Sequence, residues 1–241
     1  MTDPAADDDV QRVLVLTAHP DDVDFGAAGT IAAWTDRGTQ VSYCVATSGD
    51  AGGFDDTPRG EMAALREAEQ RAAAAVLGVR DVEFLGLADG ALSPTMELRK
   101  RFSRAIRRVR PQRVLIQSPE FDWDRVGASH PDHRAAGEAA FAAVYPDARN
   151  PYAHPELLAD EGLMAWSAHQ LWIMGGPHND HPVDITETFD RKVAALRAHR
   201  SQTAHRDDLD TMLHGFARAA AARAGFPEGR LAEVFQVVAV S

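Results

Sequence analysis

The chain has 241 residues, a length that suits one large α/β domain or two small ones. Its formal net charge of −11 at pH 7 argues against a nucleic-acid partner, because binding to a phosphate backbone requires a basic surface. Hydrophobic residues make up 45% of the chain and can form a substantial core, but no segment is apolar over the length of a membrane span.

The chain begins with a polar and acidic stretch over residues 1–10. This stretch lacks the charged and then apolar layout of a signal peptide, and we expect it to be a disordered tail. We expect residues 11–241 to form a single domain, because no later stretch has the composition of a linker. These features predict a soluble, cytoplasmic protein.

Short apolar runs alternate with longer helical stretches along the chain. The apolar runs predict strands over 12–17, 40–47, 81–85, 113–117, 170–174, 183–185 and 233–240. Helices are expected to end near residues 37, 77, 109, 144 and 199, with one more before the last strand. The third helix is expected to start at Ser93-Pro94, a cap residue followed by proline. The alternation predicts an α/β fold, a Rossmann-like three-layer α/β/α domain with a mostly parallel sheet.

The first cluster of chemically active residues lies where the first strand gives way to a helix. His19, Asp21 and Asp22 directly follow the apolar run over 12–17. In open α/β sheets, ligands bind at the carboxyl ends of the strands. Taken alone the cluster is weak evidence, since Asp is also common in turns and helix caps.

A second cluster lies at the equivalent place of a later strand–helix unit. It contains His130, Asp132 and His133, and the spacing of three residues puts the two histidines on one face of a helix. His19 and Asp22 have the same spacing. Two imidazoles and a carboxylate are a suitable ligand set for Zn²⁺, with one position open to water. The two clusters therefore predict one metal site, with four candidate groups for three places.

Both clusters resemble the signatures of a known family. The stretch 18–30 resembles the first signature of the LmbE-like, or PIG-L, deacetylases, and 129–133 resembles the second. Similarity continues in shorter stretches up to about residue 205. The family consists of zinc-dependent enzymes that remove acetyl groups from N-acetylglucosamine units or cleave related amides. The resemblance implies this activity, with one zinc ion per chain.

Matching positions imply a role for each residue of the clusters. The implied zinc ligands are His19, Asp22 and His133. The resemblance implies that Asp21 is the general base. It implies that His130 polarises the amide carbonyl and protonates the leaving amine, with Asp132 holding its ring. It also implies that Arg66 and Asp89 bind substrate.

One position departs from the pattern of the family. The first signature usually ends in two acidic residues, and here Val23 replaces the first while Asp24 keeps the second. The change removes a possible carboxylate beside the site but leaves the three implied ligands intact.

Other functions remain open at this point. An amidase that cleaves glucosaminyl-thiol conjugates of the mycothiol type would use the same reaction centre. A two-metal phosphoesterase would require more bridging carboxylates than the clusters supply. A zinc-dependent sugar-binding module would not need Asp21, since binding requires no base. The expected partner is a small N-acetylglucosaminyl compound. The loops 118–129 and 145–168 are expected to shape the part of the pocket that takes the group attached to the sugar. A homo-oligomer is possible.

Overall fold

Residues 10–54 and 56–240 are described by a computed structural model. The predicted tail over 1–10 lies outside these residues, except for its last member. Val10 is only 6% exposed and packs in the core beside the sheet. The packed chain therefore includes residue 10, one position before the predicted start of the domain.

The described strands follow the predicted ones closely. They are β1 (Arg12–Thr17), β2 (Gln40–Thr47), β3 (Asp81–Leu87), β4 (Arg113–Gln117), β5 (Gln170–Met174), β6 (His181–Asp184) and β7 (Ala232–Ala239). Within the described residues they form one seven-stranded sheet in the order β3-β2-β1-β4-β5-β7-β6. The first five strands of this order are parallel, and β7 pairs antiparallel with β5 and β6. The predicted α/β fold with a mostly parallel sheet is confirmed.

Helices cover both faces of the sheet. They are α1 (Asp22–Asp36), α2 (Arg59–Val76), α3 (Met96–Val109), α4 (Pro131–Ala142), α5 (Glu156–Ala159), α6 (Phe189–Ala198), α7 (Arg200–Thr203) and α8 (Leu209–Arg223). Alternate residues of β1 point to opposite layers, as the pleat of a strand requires. Val13 and Val15 pack with α1 and α2, whereas Leu14 and Leu16 pack with α3 and α4. No helix in the described part of the chain has the length and hydrophobicity that a bilayer crossing would need.

Several predicted boundaries differ from the structure by a few residues, and the start of α3 differs for a local reason. Helix α3 begins at Met96 rather than at Ser93-Pro94, because the Thr95 side chain accepts the N–H of Leu98 and caps the helix. The irregular segment predicted over 145–168 contains the short helix α5.

The strand order places the two sequence clusters side by side. From β1 the chain moves outward to β2 and β3, and it then returns to β4 on the other side of β1. Open α/β sheets bind their ligands at such a switch point, beyond the carboxyl ends of the strands. The first cluster follows β1, and the loop that leads to the second cluster follows β4.

A buried ion pair ties the last strand to helix α1. Lys192 Nζ lies 2.6 Å from Glu233 Oε1, and both side chains are almost fully buried. The Glu233 carboxylate accepts the backbone N–H groups of Gly29 and Thr30. Lys192 also donates to the carbonyl oxygen of Phe25. The pair therefore supports the helix that carries the first cluster.

We expect Lys192→Met to lower the free energy of unfolding by about 3–5 kcal/mol, because it leaves the Glu233 carboxylate buried without its cation. The matched control is Arg197→Met on the same helix, where the Arg197–Asp210 pair is exposed. That change should cost at most about 1 kcal/mol. Urea unfolding of the two variants measures both values, and equal losses would contradict the structural role of the buried pair.

Candidate active site

The turn between β1 and α1 brings two polar side chains of the first cluster together. The Asp22 carboxylate accepts the backbone N–H of His19 at 2.6 Å, and the same oxygen lies 3.5 Å from Nδ1 of that ring. Between them, Asp21 has a left-handed backbone with φ 83° and ψ −24°. A non-glycine residue in this region is uncommon and marks a turn that its surroundings hold in place.

The second cluster is built on the first turn of α4. His130 is the cap residue of the helix, and its Nδ1 accepts the backbone N–H of Asp132 at 3.2 Å. A neutral imidazole that accepts at Nδ1 carries its proton on Nε2, so His130 offers a donor on its other side. His133 lies one turn into the helix on the same face.

The two clusters meet in space, as the sequence analysis predicted. His133 Nε2 lies 2.9 Å from the second carboxylate oxygen of Asp22. The rings of His19, His130 and His133 lie with their centroids 5.1–5.2 Å apart. Four polar groups from two distant stretches of the chain thus converge on one point.

The donor atoms at this point suit a metal ion. His19, His130 and His133 each present a ring nitrogen, and these nitrogens lie within 4.8 Å of one another. The Asp22 carboxylate contacts two of these rings. Imidazole nitrogens with one carboxylate are ligands that zinc prefers. The donor set therefore fits a single divalent metal.

Two further carboxylates hold the far side of the His19 ring. Its Nε2 lies 3.0 Å from Asp89 Oδ1 and 3.2 Å from Asp132 Oδ2, while Nδ1 faces Asp22. Histidines that bind metals usually donate their other ring nitrogen to a carboxylate or carbonyl, which fixes the ring. Asp89 and Asp132 are placed to do this for His19.

Asp132 differs in its contacts from the sequence-based expectation. Its carboxylate accepts the backbone N–H groups of Gly90 and Leu92 and approaches His19. Its hydrogen bond with His130 is made by its backbone N–H instead. Because the carboxylate is turned toward the segments that follow β3 and β1, it orients His19, and the His130 ring is oriented by the helix backbone.

Asp89 was expected to accept hydrogen bonds from substrate hydroxyls. Its side chain is 10% exposed, and Oδ2 accepts the N–H of Ala51 while Oδ1 faces His19. The carboxylate therefore lies at the site but has protein partners at both oxygens. A contact with substrate stays a prediction.

Arg66 was also expected to bind substrate, and its guanidinium points into the protein. Arg66 is only 4% exposed. Its Nη2 donates to the carbonyl oxygen of Pro20 at 2.8 Å and to Asp21 Oδ2 at 3.2 Å. Nη1 donates to the carbonyl of Gly49. A Cβ at Gly49 or Gly52 would collide with the guanidinium, which explains why glycine occupies these two positions after β2. In this arrangement Arg66 supports Asp21.

Two residues beside the site were given no functional role from the sequence. Gln70 contacts the Asp21 backbone, and His199 contacts Asp24 in the interior. Gln70 follows Arg66 by one helical turn, and this spacing was a usable signal for a shared face. Nothing local to His199 points to a partner 175 positions away in the chain.

The electrostatics of the site favour positive charge at His19 and His133. Burial lowers the pKa of His19, but the carboxylates of Asp22 and Asp89 raise it by more, to about 11. Burial also lowers the pKa of His133, but the Asp22 carboxylate outweighs this and raises that pKa above its usual value. The carboxylates that stabilise a proton here would also stabilise a metal cation.

Asp21 and His130 are tuned differently. Burial raises the pKa of Asp21 to about 6, although the charge of Arg66 opposes this. A base with a pKa near neutrality is suited to proton transfer. Burial and the charges of His133 and His19 lower the pKa of His130, which favours the neutral ring over the imidazolium.

Comparisons with known proteins agree with one another. Residues 14–144 match the family model PIG-L, described as GlcNAc-PI de-N-acetylase. A diacetylchitobiose deacetylase of Thermococcus kodakarensis is 35% identical over 198 residues, covering 80% of this chain and 71% of the relative. A probable N-acetyl-alpha-D-glucosaminyl L-malate deacetylase 2 of Bacillus anthracis is 31% identical, covering 80% and 82%. The solved N,N'-diacetylchitobiose deacetylase of Pyrococcus horikoshii superposes with a TM-score of 0.88 at 30% identity, over 98% of this chain and 87% of that one.

Proposed function

Because the chain belongs to the PIG-L family of de-N-acetylases, we propose that it is a zinc-dependent hydrolase of the N-acetyl amide in an N-acetylglucosaminyl compound. The family match confirms the resemblance drawn from the two signatures. The observation that carries the proposal is the contact between the clusters, in which His133 Nε2 lies 2.9 Å from Asp22 Oδ1 with Asp21 next in the chain. A carboxylate beside a metal-binding cluster is the arrangement that hydrolysis of an amide needs.

His19, Asp22 and His133 are the residues that we propose would hold the metal. The carboxylate of Asp22 contacts both imidazoles, and the Nε2 side of His19 is already held by two carboxylates. When bound, zinc supplies a Lewis acid that lowers the pKa of water and polarises a carbonyl. The preference for zinc over other divalent ions rests on the nitrogen-rich donor set.

Asp21 is the proposed general base, because it directly precedes Asp22 and its negative charge acts on His133. Arg66 holds one carboxylate oxygen, so the other is available to take a proton from water. His130 is the proposed donor to the substrate. With Nδ1 occupied by the Asp132 N–H, its Nε2–H can donate a hydrogen bond to the carbonyl oxygen and to the oxyanion that forms there, and the proton that Asp21 takes from water would pass to the departing amine.

The substrate class is proposed from the relatives. The relatives from Thermococcus kodakarensis and Bacillus anthracis are named for diacetylchitobiose and for an N-acetylglucosaminyl malate, which share an N-acetylglucosaminyl unit and differ in what is attached to it. We therefore propose that this unit is recognised at the site. The loops 118–129 and 145–168 would select the attached group.

The test is an assay of acetate release across N-acetylglucosaminyl glycosides, glycolipids and thiol precursors, with metal content measured on the same protein. We expect one zinc per chain and acetate from at least one compound. Release of a different acid from a glucosaminyl-thiol conjugate, without acetate from any compound, would favour the amidase. Two metal ions per chain with phosphoester cleavage, or zinc and sugar binding without turnover, would overturn the proposal.

A further inference from the structure

We infer that Gln70, acting from helix α2, is a positioning residue that holds the Asp21 turn in its left-handed conformation and so aims the Asp21 carboxylate at the reacting water. The inference rests on the proposed function, in which Asp21 is the base. It assigns a role to a residue that lies outside both signatures.

The Asp21 turn requires outside support. Its backbone has φ 83°, a conformation that residues with a Cβ adopt rarely. Asp21 precedes the first residue of α1, and its side chain makes no cap hydrogen bond within the helix. The turn is therefore not stabilised by the usual capping interaction, and the contacts from α2 take its place.

Gln70 makes the contact with the turn itself. Its Oε1 accepts the backbone N–H of Asp21 at 2.8 Å, and the residue is completely buried. Its Nε2 donates to Asp24 Oδ2, also at 2.8 Å. The amide of one side chain thus bridges two residues of the first signature, three positions apart.

The orientation of the Gln70 amide is fixed by what lies at its far end. A carboxylate only accepts hydrogen bonds, so the NH₂ group must face Asp24 and the oxygen must face Asp21. Asp24 is held in turn by His199 Nε2 at 2.8 Å, and both residues are fully buried. His199 and Asp24 therefore keep the acceptor of Gln70 directed at the turn.

Arg66 adds a second support from the same face of α2. One turn before Gln70, its guanidinium bonds to the Pro20 carbonyl and to the Asp21 carboxylate. Arg66 fixes the side chain of Asp21 and Gln70 fixes its backbone. Loss of the Gln70 contact should let the peptide group before Asp21 rotate, and the direction of the Asp21 carboxylate would change with it.

The central variant is Gln70→Met, which has a similar length and removes both hydrogen bonds. We expect kcat to fall about 10- to 100-fold, the usual effect of displacing a catalytic group through its supporting contacts. KM and zinc content should stay near the wild-type values, because no proposed ligand contacts Gln70. The matched control is Glu69→Gln. Glu69 is the neighbouring residue on α2, and its buried side chain bonds to Ser201 and not to the turn. This variant should retain near-normal kcat.

A double-mutant cycle separates positioning from general damage. If Gln70 acts through the Asp21 carboxylate, adding Gln70→Met to Asp21→Asn should lower kcat no further. The inference would be overturned if Gln70→Met lowered kcat by the same factor in the Asp21→Asn background as in the wild type. A normal kcat in Gln70→Met alone would also overturn it. Should Gln70→Met fail to fold, Gln70→Asn keeps a polar side chain but is one methylene too short to bridge both partners, and the same results are expected.

A crystal structure of the Gln70 variant gives a readout that does not depend on activity. We expect Asp21 to leave the left-handed region or its carboxylate to move. An unchanged Asp21 would overturn the inference even if the proposed function holds. Conversely, a wild-type protein that hydrolyses no N-acetylglucosaminyl compound would contradict the proposed function, while the geometry of the variant would still decide whether Gln70 holds the turn.

Discussion

Asp21→Asn should retain its zinc and lose about 10²- to 10⁴-fold in kcat, the usual contribution of a positioned general base. The amide oxygen of asparagine can still accept from Arg66, so the side chain keeps its place. An amide cannot take a proton from water, so the reaction loses its base without losing its geometry. The loss should fall mainly on kcat, because the proton transfer belongs to the transition state.

The measurement combines steady-state kinetics with metal analysis of the purified variant. Arg66→Lys serves as a comparison, since it weakens the support of Asp21 but leaves the carboxylate in place. Its kcat should lie between those of the wild type and Asp21→Asn. A normal kcat in Asp21→Asn would remove Asp21 from the reaction.

Asp22→Asn and His133→Ala should each strip the metal at neutral pH and abolish hydrolysis. Asp22 uses one oxygen to accept the His19 N–H and the other to face His133. An asparagine that keeps the first contact turns its NH₂ group toward His133 and toward any cation between them. Metal affinity should therefore fall by more than the roughly 10- to 100-fold that follows the loss of an outer partner.

Dialysis followed by metal analysis tests this expectation. Full zinc occupancy in Asp22→Asn or His133→Ala would remove that residue from the ligand set. If Asp21→Asn lost its zinc while Asp22→Asn kept it, the two adjacent carboxylates would exchange roles. If both variants kept zinc and near-normal rates, the hydrolytic mechanism proposed here would be wrong.

The sequence by itself determined the layers of the fold and the chemical types at the site. Apolar runs of strand length, separated by helical stretches, leave few arrangements other than a parallel sheet with helices on both faces. The side chains that directly follow a strand must lie at its carboxyl end. His19, Asp22, His130 and His133 were therefore predictable from local spacing as four candidates for one metal site, and the family resemblance chose three of them as ligands.

The tertiary structure decided which side chains touch. His133 and Asp22 lie more than a hundred positions apart in the chain, and the pairing of β1 with β4 brings them together. Arg66 points toward Asp21 and Asp132 points toward His19. These directions depend on which neighbours the two side chains meet in the folded protein. Local patterns specify the period and the caps of an element, whereas the partner of a buried polar group is set by packing between elements. For this reason the support of Asp21 by Gln70 is visible only in the folded chain.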